Sequence, residues 1–302
     1  MTEAKDPNPK GQLDELEIIV IAEDSVMYES PYLGQHGISL LARACGGGVT
    51  KNILMDVGQN PMGLLYNFKQ MDINPACIDA IVITHCHYDH TQGLAEIVAA
   101  TGKKDLPVIA HPAMFRLNFI TAPFLRHVGV MSGDSGDKLR AAGAELYLTT
   151  DPLELMPGLF TTGEVKRQTE YEEVGIGGLA TIEDGRVKQD GMPDDLSVVA
   201  RVRGHAPLVM TGCSHAGIVN IVKQVASMCG TREFENVIGG FHLIEASEDR
   251  IKKTVAGLAE FKLKAIMPGH CTGFRAQAAM YTALGKAFTN LQTGMRIKVT
   301  AR

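Results

Sequence analysis

The chain has 302 residues, 45% of them apolar and 21% charged, with a formal net charge of −5. This is the make-up of an ordinary soluble protein, and its acidic balance excludes a nucleic-acid binder that works by bulk electrostatics. No uninterrupted apolar run of about 18 residues occurs, so no membrane span is expected.

Met1 to Glu17 is polar, contains Lys5, Pro7, Pro9 and Gly11, and lacks the apolar centre of a signal peptide. It reads as a mobile tail over about residues 1–16, and the protein as cytoplasmic. Strands are then expected at 17–22, 39–44 and 51–56, the second and third joined by a hairpin turn at Gly46-Gly47-Gly48. A helix follows over 61–71, with Leu64, Leu65 and Phe68 on one face. Ile78 to Thr84 is continuously apolar, as a strand buried on both faces should be. A helix over 93–100 and a strand over 108–110, ending at His111, come next. Residues 112–135 mix Pro, Phe, Arg and Gly and read as helix and loop covering whatever site the strands build.

The second half repeats the grammar. Strands are expected at 145–148 and 159–162, and a hairpin at 179–187 turns on Asp184-Gly185. Strands at 197–202 and 207–211 flank Gly204. A helix over 216–228, a strand over 236–239, and a helix from the N-cap Ser247 to Phe261 follow. A strand at 264–267, a helix over 277–291 and a short strand at 295–300 close the chain. No linker rich in Pro, Gly or Ser divides it, so a single domain over 1–302 is expected. Two mixed sheets with helices outside, a four-layer αββα sandwich, fit this order.

The strongest chemical signal is Thr84-His85-Cys86-His87-Tyr88-Asp89-His90, directly after the buried strand. Alternating residues at a strand end project to one side, so His85 and His87 can reach one metal ion. Asp89 and His90, from the next turn, can reach a second. Imidazole and carboxylate suit zinc first, and also manganese or iron. Three more histidines, His215, His242 and His270, each follow a strand. One such histidine is as readily structural; three point to separate strands delivering ligands to one edge. Cys86, Cys213 and Cys271 lie beside histidines, and among the six cysteines no C-x-x-C pair occurs. Cys213 as a ligand would favour zinc.

These motifs, in order, carry a resemblance. Asp56-Val57-Gly58, the histidine cluster, Thr211-Gly212-Cys213 and Pro268-Gly269-His270 resemble the motif series of the metallo-β-lactamase superfamily. Gly212–Ile221 (GCSHAGIVNI), Gly239–Leu243 (GGFHL) and Gly269–Gly273 (GHCTG) are similar to its subgroup of 7,8-dihydropterin-6-methyl-4-(β-D-ribofuranosyl)-aminobenzene-5′-phosphate synthases, which act in methanopterin biosynthesis. The resemblance covers almost all of the chain after the tail.

It implies the metallo-β-lactamase fold, two divalent metal ions, and a metal-dependent hydrolase or group-transfer enzyme with a small-molecule, phosphorylated substrate. It gives Asp56 a supporting role behind the ligands. The implied ligands are His85, His87, Asp89, His90, His215, His270 and Cys213, with Asp89 and His242 as catalytic candidates. Two departures bear on that set. The bridging Asp of the superfamily is Cys213 here, and Met192-Pro193-Asp194-Asp195-Leu196-Ser197 lacks the usual His before the fourth motif. His215 is the first choice for the missing ligand, with Cys213 and Asp195 as the alternatives.

For a phosphorylated substrate, cations are sought among His111, Arg116, Arg126, His127 and Arg167. Tyr88 is expected to border the pocket. Two competing readings are a di-iron redox protein and a non-catalytic metal-binding module on the same fold. The first usually has Glu at the position of His87 and a flavin domain, and this chain has neither. An oligomer would be compatible with the composition.

Overall fold

The structure is a computed structural model that describes residues 11–302. The first half runs β1 (Glu15–Ala22), β2 (Ser39–Gly46), β3 (Val49–Met55), α1 (Pro61–Gln70), β4 (Ala80–Val82), α2 (Tyr88–Thr91), α3 (Leu94–Ala100), β5 (Leu106–Ala110), β6 (Phe119–Ile120), β7 (Arg126–His127), α4 (Gly136–Ala142) and β8 (Ala144–Leu148). The second runs β9 (Glu154–Met156), β10 (Leu159–Thr161), β11 (Leu179–Glu183), β12 (Arg186–Gln189), β13 (Ser197–Ala200), β14 (Leu208–Thr211) and α5 (Ile218–Cys229). It continues with β15 (Glu233–Phe234), β16 (Asn236–Gly240), α6 (Glu248–Ala259), β17 (Lys262–Leu263), β18 (Ile266–Gly269), α7 (Phe274–Leu284) and β19 (Arg296–Thr300).

Two large mixed sheets form, one in the order β19-β1-β2-β3-β4-β5-β8 and one in the order β18-β16-β14-β13-β10-β9. Side chains alternate faces along a strand, and here both faces are buried. Leu16, Ile18 and Val20 of β1 join Val198, Ala200, Leu208, Met210 and Ile238 in one apolar layer between the sheets. Ile19 and Ile21, on the other face of β1, pack under α1, α3 and α4 through Leu64, Phe68, Ile97, Val98 and Leu139. Val199, Val209 and Val237, on the far side of the second sheet, pack under α5, α6 and α7. Helix, sheet, sheet, helix is the four-layer sandwich expected.

Three expectations need correction. The tail was expected to reach about residue 16, and residues 1–10 lie outside the described residues. From there the chain is held: Leu13 is fully buried and bridges Val202, and β1 begins at Glu15. The closing helix was expected over 277–291, but α7 starts at Phe274 and ends at Gly285, whose φ of 53° and ψ of −120° suit glycine and stop the helix. Residues 112–135 form short 3-10 turns and the strands β6 and β7, not an α-helix, and join the hairpin β11–β12 in a four-stranded sheet. Both expected hairpin turns form: Gly47-Gly48 and Asp184-Gly185 carry the paired positive φ angles of a tight two-residue turn.

What positions the site is strand register. β14, β16 and β18 are adjacent and parallel, with Thr211 beside Gly239 and Gly239 beside Pro268. Their C-terminal ends are therefore level, and Cys213, His215, His242 and His270 follow at once. β3 and β4, parallel in the other sheet, end level with each other and feed Asp56 and the Thr84–His90 loop. Open parallel sheets place ligands beyond the carboxyl ends of their strands, and both sheets do so at one edge.

Candidate metal centre

Four overlapping groups of ligand-type atoms gather at that edge: Cys213, His215 and His242 form one, Asp24, His36 and His270 another, and the remaining two are fully buried. In the first buried group, His85, His87 and His215 converge, with His87 Nδ1 lying 3.2 Å from His85 Nε2 and 3.1 Å from His215 Nε2. In the second, Asp89, His90, Cys213 and His270 converge, with His90 Nε2 3.1 Å from Cys213 Sγ and His270 Nε2 3.1 Å from Asp89 Oδ2. All seven side chains are buried.

The sequence makes this geometry through local strain and close approach. Asp56, Ser214, His242 and His270, all non-glycine, sit at positive φ just beyond strand ends. Such conformations persist only where the surroundings hold them, and they gather at functional sites. Gly212 is required for packing: a Cβ there would overlap the Thr84 hydroxyl and press on Asp56.

Hydrogen bonds behind the two groups fix which ring nitrogens are free. Buried Asp56 accepts from the Thr84 N–H (2.8 Å), the Thr84 hydroxyl (2.6 Å) and His90 Nδ1 (2.7 Å). Because the Thr84 hydroxyl gives its one proton to Asp56, it accepts from His85 Nδ1–H at 3.1 Å. His215 Nδ1–H donates to the Val174 carbonyl at 3.3 Å. Each of these three rings therefore turns its Nε2 toward the centre, as metal-binding histidines do when their other nitrogen is held. The loop itself is braced by Asp194, which accepts from the Cys86 N–H at 2.8 Å and pairs with Arg116 at 2.8 Å. Arg116 also pairs with Asp190 at 2.7 Å.

The two groups differ electrostatically. Burial, with imidazole neighbours, holds His85 and His215 well below the usual histidine range, and burial brings His87 down to about 4. These three rings are neutral, with lone pairs to give. Burial also disfavours charge on His90, yet the Asp89 and Asp56 carboxylates lift it to about 9. His270 is raised in the same way, against burial, by Cys271, Asp24 and Asp89. Burial pushes the Cys213 thiol up. The second group is thus a place that calls for positive charge, and the first a place that offers neutral nitrogen.

The residues present fit a pair of divalent cations. His85 Nε2 and His215 Nε2 both turn lone pairs on the buried His87 Nδ1, which can pair with only one of them, an arrangement that a cation would satisfy. Three imidazoles in one group, and carboxylate, thiol and two imidazoles in the other, suit zinc by ligand type.

A cavity of about 230 Å³ opens over both groups, bordered by His87, Asp89, Cys213 and His242 below and by Tyr88, Ile120, Arg126, Val128, Ile176 and Ile244 around it. His242 stands 4.2 Å from His215, ring centre to ring centre, and both its ring nitrogens are buried without partners. Asp195 is not brought in: its carboxylate accepts from the Ala216 N–H at 2.6 Å and supports the turn after His215, and burial lifts it to about 7. Of the five expected substrate cations, Arg126 alone borders the cavity.

Sequence reading missed three residues. His36 borders the cavity between Asp24 (3.4 Å) and Asp89 (3.5 Å), and it stands alone in a loop with no pattern to announce it. Glu23 and Asp24 follow the end of β1, where the strand-end rule would have found them. Glu23 accepts from the His270 N–H, and Asp24 lies 3.3 Å from His270 Nδ1.

Residues 51–151 match the beta-lactamase superfamily domain. The 7,8-dihydropterin-6-methyl-4-(β-D-ribofuranosyl)-aminobenzene-5′-phosphate synthase of Methanocaldococcus jannaschii is 37% identical over 290 residues, covering 95% of this chain and 98% of that protein. An uncharacterized protein of the same organism is 31% identical over 264 residues, covering 86% of this chain and 92% of its own length. The crystal structure of Tm1679, described as a metal-dependent hydrolase of the β-lactamase superfamily, shares the fold with a TM-score of 0.77 at 23% identity, covering 94% of this chain and 99% of its own. With its sandwich, its motif order and full-length likeness to the archaeal synthase, this chain belongs to the metallo-β-lactamase superfamily, in the family of that synthase.

Proposed function

We propose that the chain is a metal-dependent group-transfer enzyme that joins a pterin to a phosphorylated arylamine, the kind of product the archaeal relative's name describes. The observation that carries this reading is the pairing of two adjoining ligand groups with an unpartnered histidine over one cavity. His85, His87 and His215 would hold one divalent ion, and Asp89, His90, Cys213 and His270 the other, with zinc the metal best suited to the thiol. Bound there, the ions would supply Lewis acidity toward a diphosphate leaving group.

The chain's own residues do the rest. In the reaction proposed, the C–O bond between a pterin 6-methylene and its diphosphate breaks, the electron pair leaving with the diphosphate. The arylamine nitrogen forms the new C–N bond and gives up one proton. His242 has one N–H and one lone pair, both unengaged. The N–H donates to the departing oxygen, and the lone pair takes the amine proton. The apolar wall of Ile120, Val128, Ile176 and Ile244 excludes water that would otherwise compete for the methylene carbon.

The test supplies (7,8-dihydropterin-6-yl)methyl diphosphate and 4-(β-D-ribofuranosyl)aminobenzene 5′-phosphate to the purified protein, with metal content measured alongside. Expected are conjugate and diphosphate in equal amounts, loss of both with a chelator, and return with zinc. Diphosphate without conjugate would make the protein a hydrolase. Stoichiometric iron with an oxidised di-iron absorption band would favour the redox reading, and metal without any turnover the non-catalytic one.

A further inference from the structure

Five cations looked available to a phosphorylated substrate from sequence, and the structure separates them. Arg116 is consumed by Asp190 and Asp194. Arg167 donates to the carbonyls of Glu172 and Gly191. His111 accepts from the Ala113 N–H and lies against Glu164. His127 bonds the Val130 carbonyl. Arg126 remains. It is exposed on β7 and borders the cavity, with its guanidinium beside the Tyr88 side chain. It is the one Lys or Arg among the described residues bordering the cavity, which is otherwise flanked by the acidic Asp24, Asp89 and Glu245.

We propose that Arg126, with Tyr88 beside it, forms an anion subsite for a phosphomonoester carried on the arm of the substrate away from the reacting bond. Two features support it. Tyr88 stands between His87 and Asp89 in the chain, so its backbone is tied to both ligand groups while its side chain reaches Arg126. The side chain therefore sets the separation between the reacting centre and the anion. Arg126 also sits on the four-stranded sheet, whereas Ile244 and Glu245, which border the same cavity, follow β16 of the second large sheet. A substrate lying across the cavity would have its charged end at Arg126 and be repelled from the Glu245 side. A guanidinium fork binds a phosphate dianion at two oxygens, which a lysine ammonium cannot copy.

In its enzymatic arm this inference rests on the condensation reading; its binding arm does not. The first measurement compares kcat/KM for the arylamine riboside with and without its 5′-phosphate. The wild type is expected to prefer the phosphorylated form at least a hundredfold. Arg126→Gln should cut that preference to within a few-fold of unity, and Arg126→Lys should fall between, with metal content unchanged in both. An unchanged preference in Arg126→Gln would overturn the subsite.

The second measurement titrates phenyl phosphate into the zinc-loaded protein by calorimetry. Arg126→Gln should bind at least tenfold more weakly than wild type. Equal binding would place the phosphate on the metal ions and sink the subsite whatever the reaction is. Weakened binding in a protein that makes no conjugate would keep the subsite and discard the condensation.

Discussion

The two halves of the chain build one site by different means. The first half concentrates four ligand-type residues in the six positions from His85 to His90, on one loop after β4. The second spreads Cys213, His215, His242 and His270 over the ends of three neighbouring strands. The loop is held by carboxylates that bond its backbone and rings: Asp56 from behind β3, and Asp194 backed by Arg116. The strand ends are held by register, because β14, β16 and β18 stop level with one another. A concentrated site depends on its braces; a distributed one depends on the sheet and can lose its members singly.

The comparison breaks most visibly on the ligands. His87→Ala removes a member of the neutral group and His270→Ala a member of the charged group. Each should lower kcat/KM by more than the roughly 10–100-fold seen when a group that only orients a metal ligand is lost. Each variant should retain about one metal equivalent per chain by elemental analysis, in the opposite site. If both variants lose both ions, the groups are one site, and their division fails.

The same contrast explains what sequence could show. The loop was legible because its residues are adjacent in the chain and follow a long apolar strand. The strand-end histidines were legible only as a set, since His242 in Gly-Gly-Phe-His says nothing alone. Asp195 read as a ligand candidate because its type and place before a strand were right. Its partner, the Ala216 N–H, is a backbone group that no side-chain pattern reveals. His36 was invisible for a like reason: its neighbours Asp24 and Asp89 are distant in sequence. The helix α7 was drawn too long because apolar spacing continues past Gly285, where the backbone turns. The layers were read correctly because the central strands of the two large sheets, such as β1, β14 and β16, are buried on both faces, a pattern that survives errors of two or three residues at the ends.

The loop's brace should show in stability. Arg116→Ala leaves Asp190 and Asp194 buried without their counter-charge, and breaking such a pair costs about 3–5 kcal/mol. Denaturant unfolding would measure it. Its pH dependence has a definite sign. Burial alone would raise Asp190, but Arg116 holds it below the usual aspartate value. A depressed carboxylate stabilises the fold above its unfolded pKa, near 3.8, and that contribution is lost as pH falls through the folded value. The gap between wild type and Arg116→Ala should therefore be largest near neutrality and narrow in acid. A gap that does not change with pH would mean the pair contributes packing and not charge.

The corresponding brace in the second half is Glu172, and it should be the smaller of the two and opposite in sign. This buried carboxylate caps α5, accepting from the N–H groups of Val219 (2.8 Å) and Asn220 (2.9 Å) and from the Thr169 hydroxyl (2.9 Å). Two residues on, the Val174 carbonyl receives His215 Nδ1. Glu172→Gln keeps the shape and one acceptor oxygen, so about 1 kcal/mol of stability should go, the usual size for a weakened cap. Activity should fall by less than about tenfold, because Glu172 does not touch His215 and only supports the segment whose Val174 carbonyl orients it, one step beyond the groups whose loss costs roughly 10–100-fold. Burial raises Glu172 above its ordinary 4.5 despite its hydrogen bonds. The native state then binds the proton more tightly than the unfolded one. The stability this contributes is complete below about 4.5 and is lost as pH rises through the folded value. Relative to the non-titrating glutamine variant, wild type should lose ground as pH rises above about 4.5, whereas relative to Arg116→Ala it gains ground as pH rises toward about 3.8. Parallel pH profiles for the two variants would show that the halves are braced alike, and the contrast drawn between them would not hold.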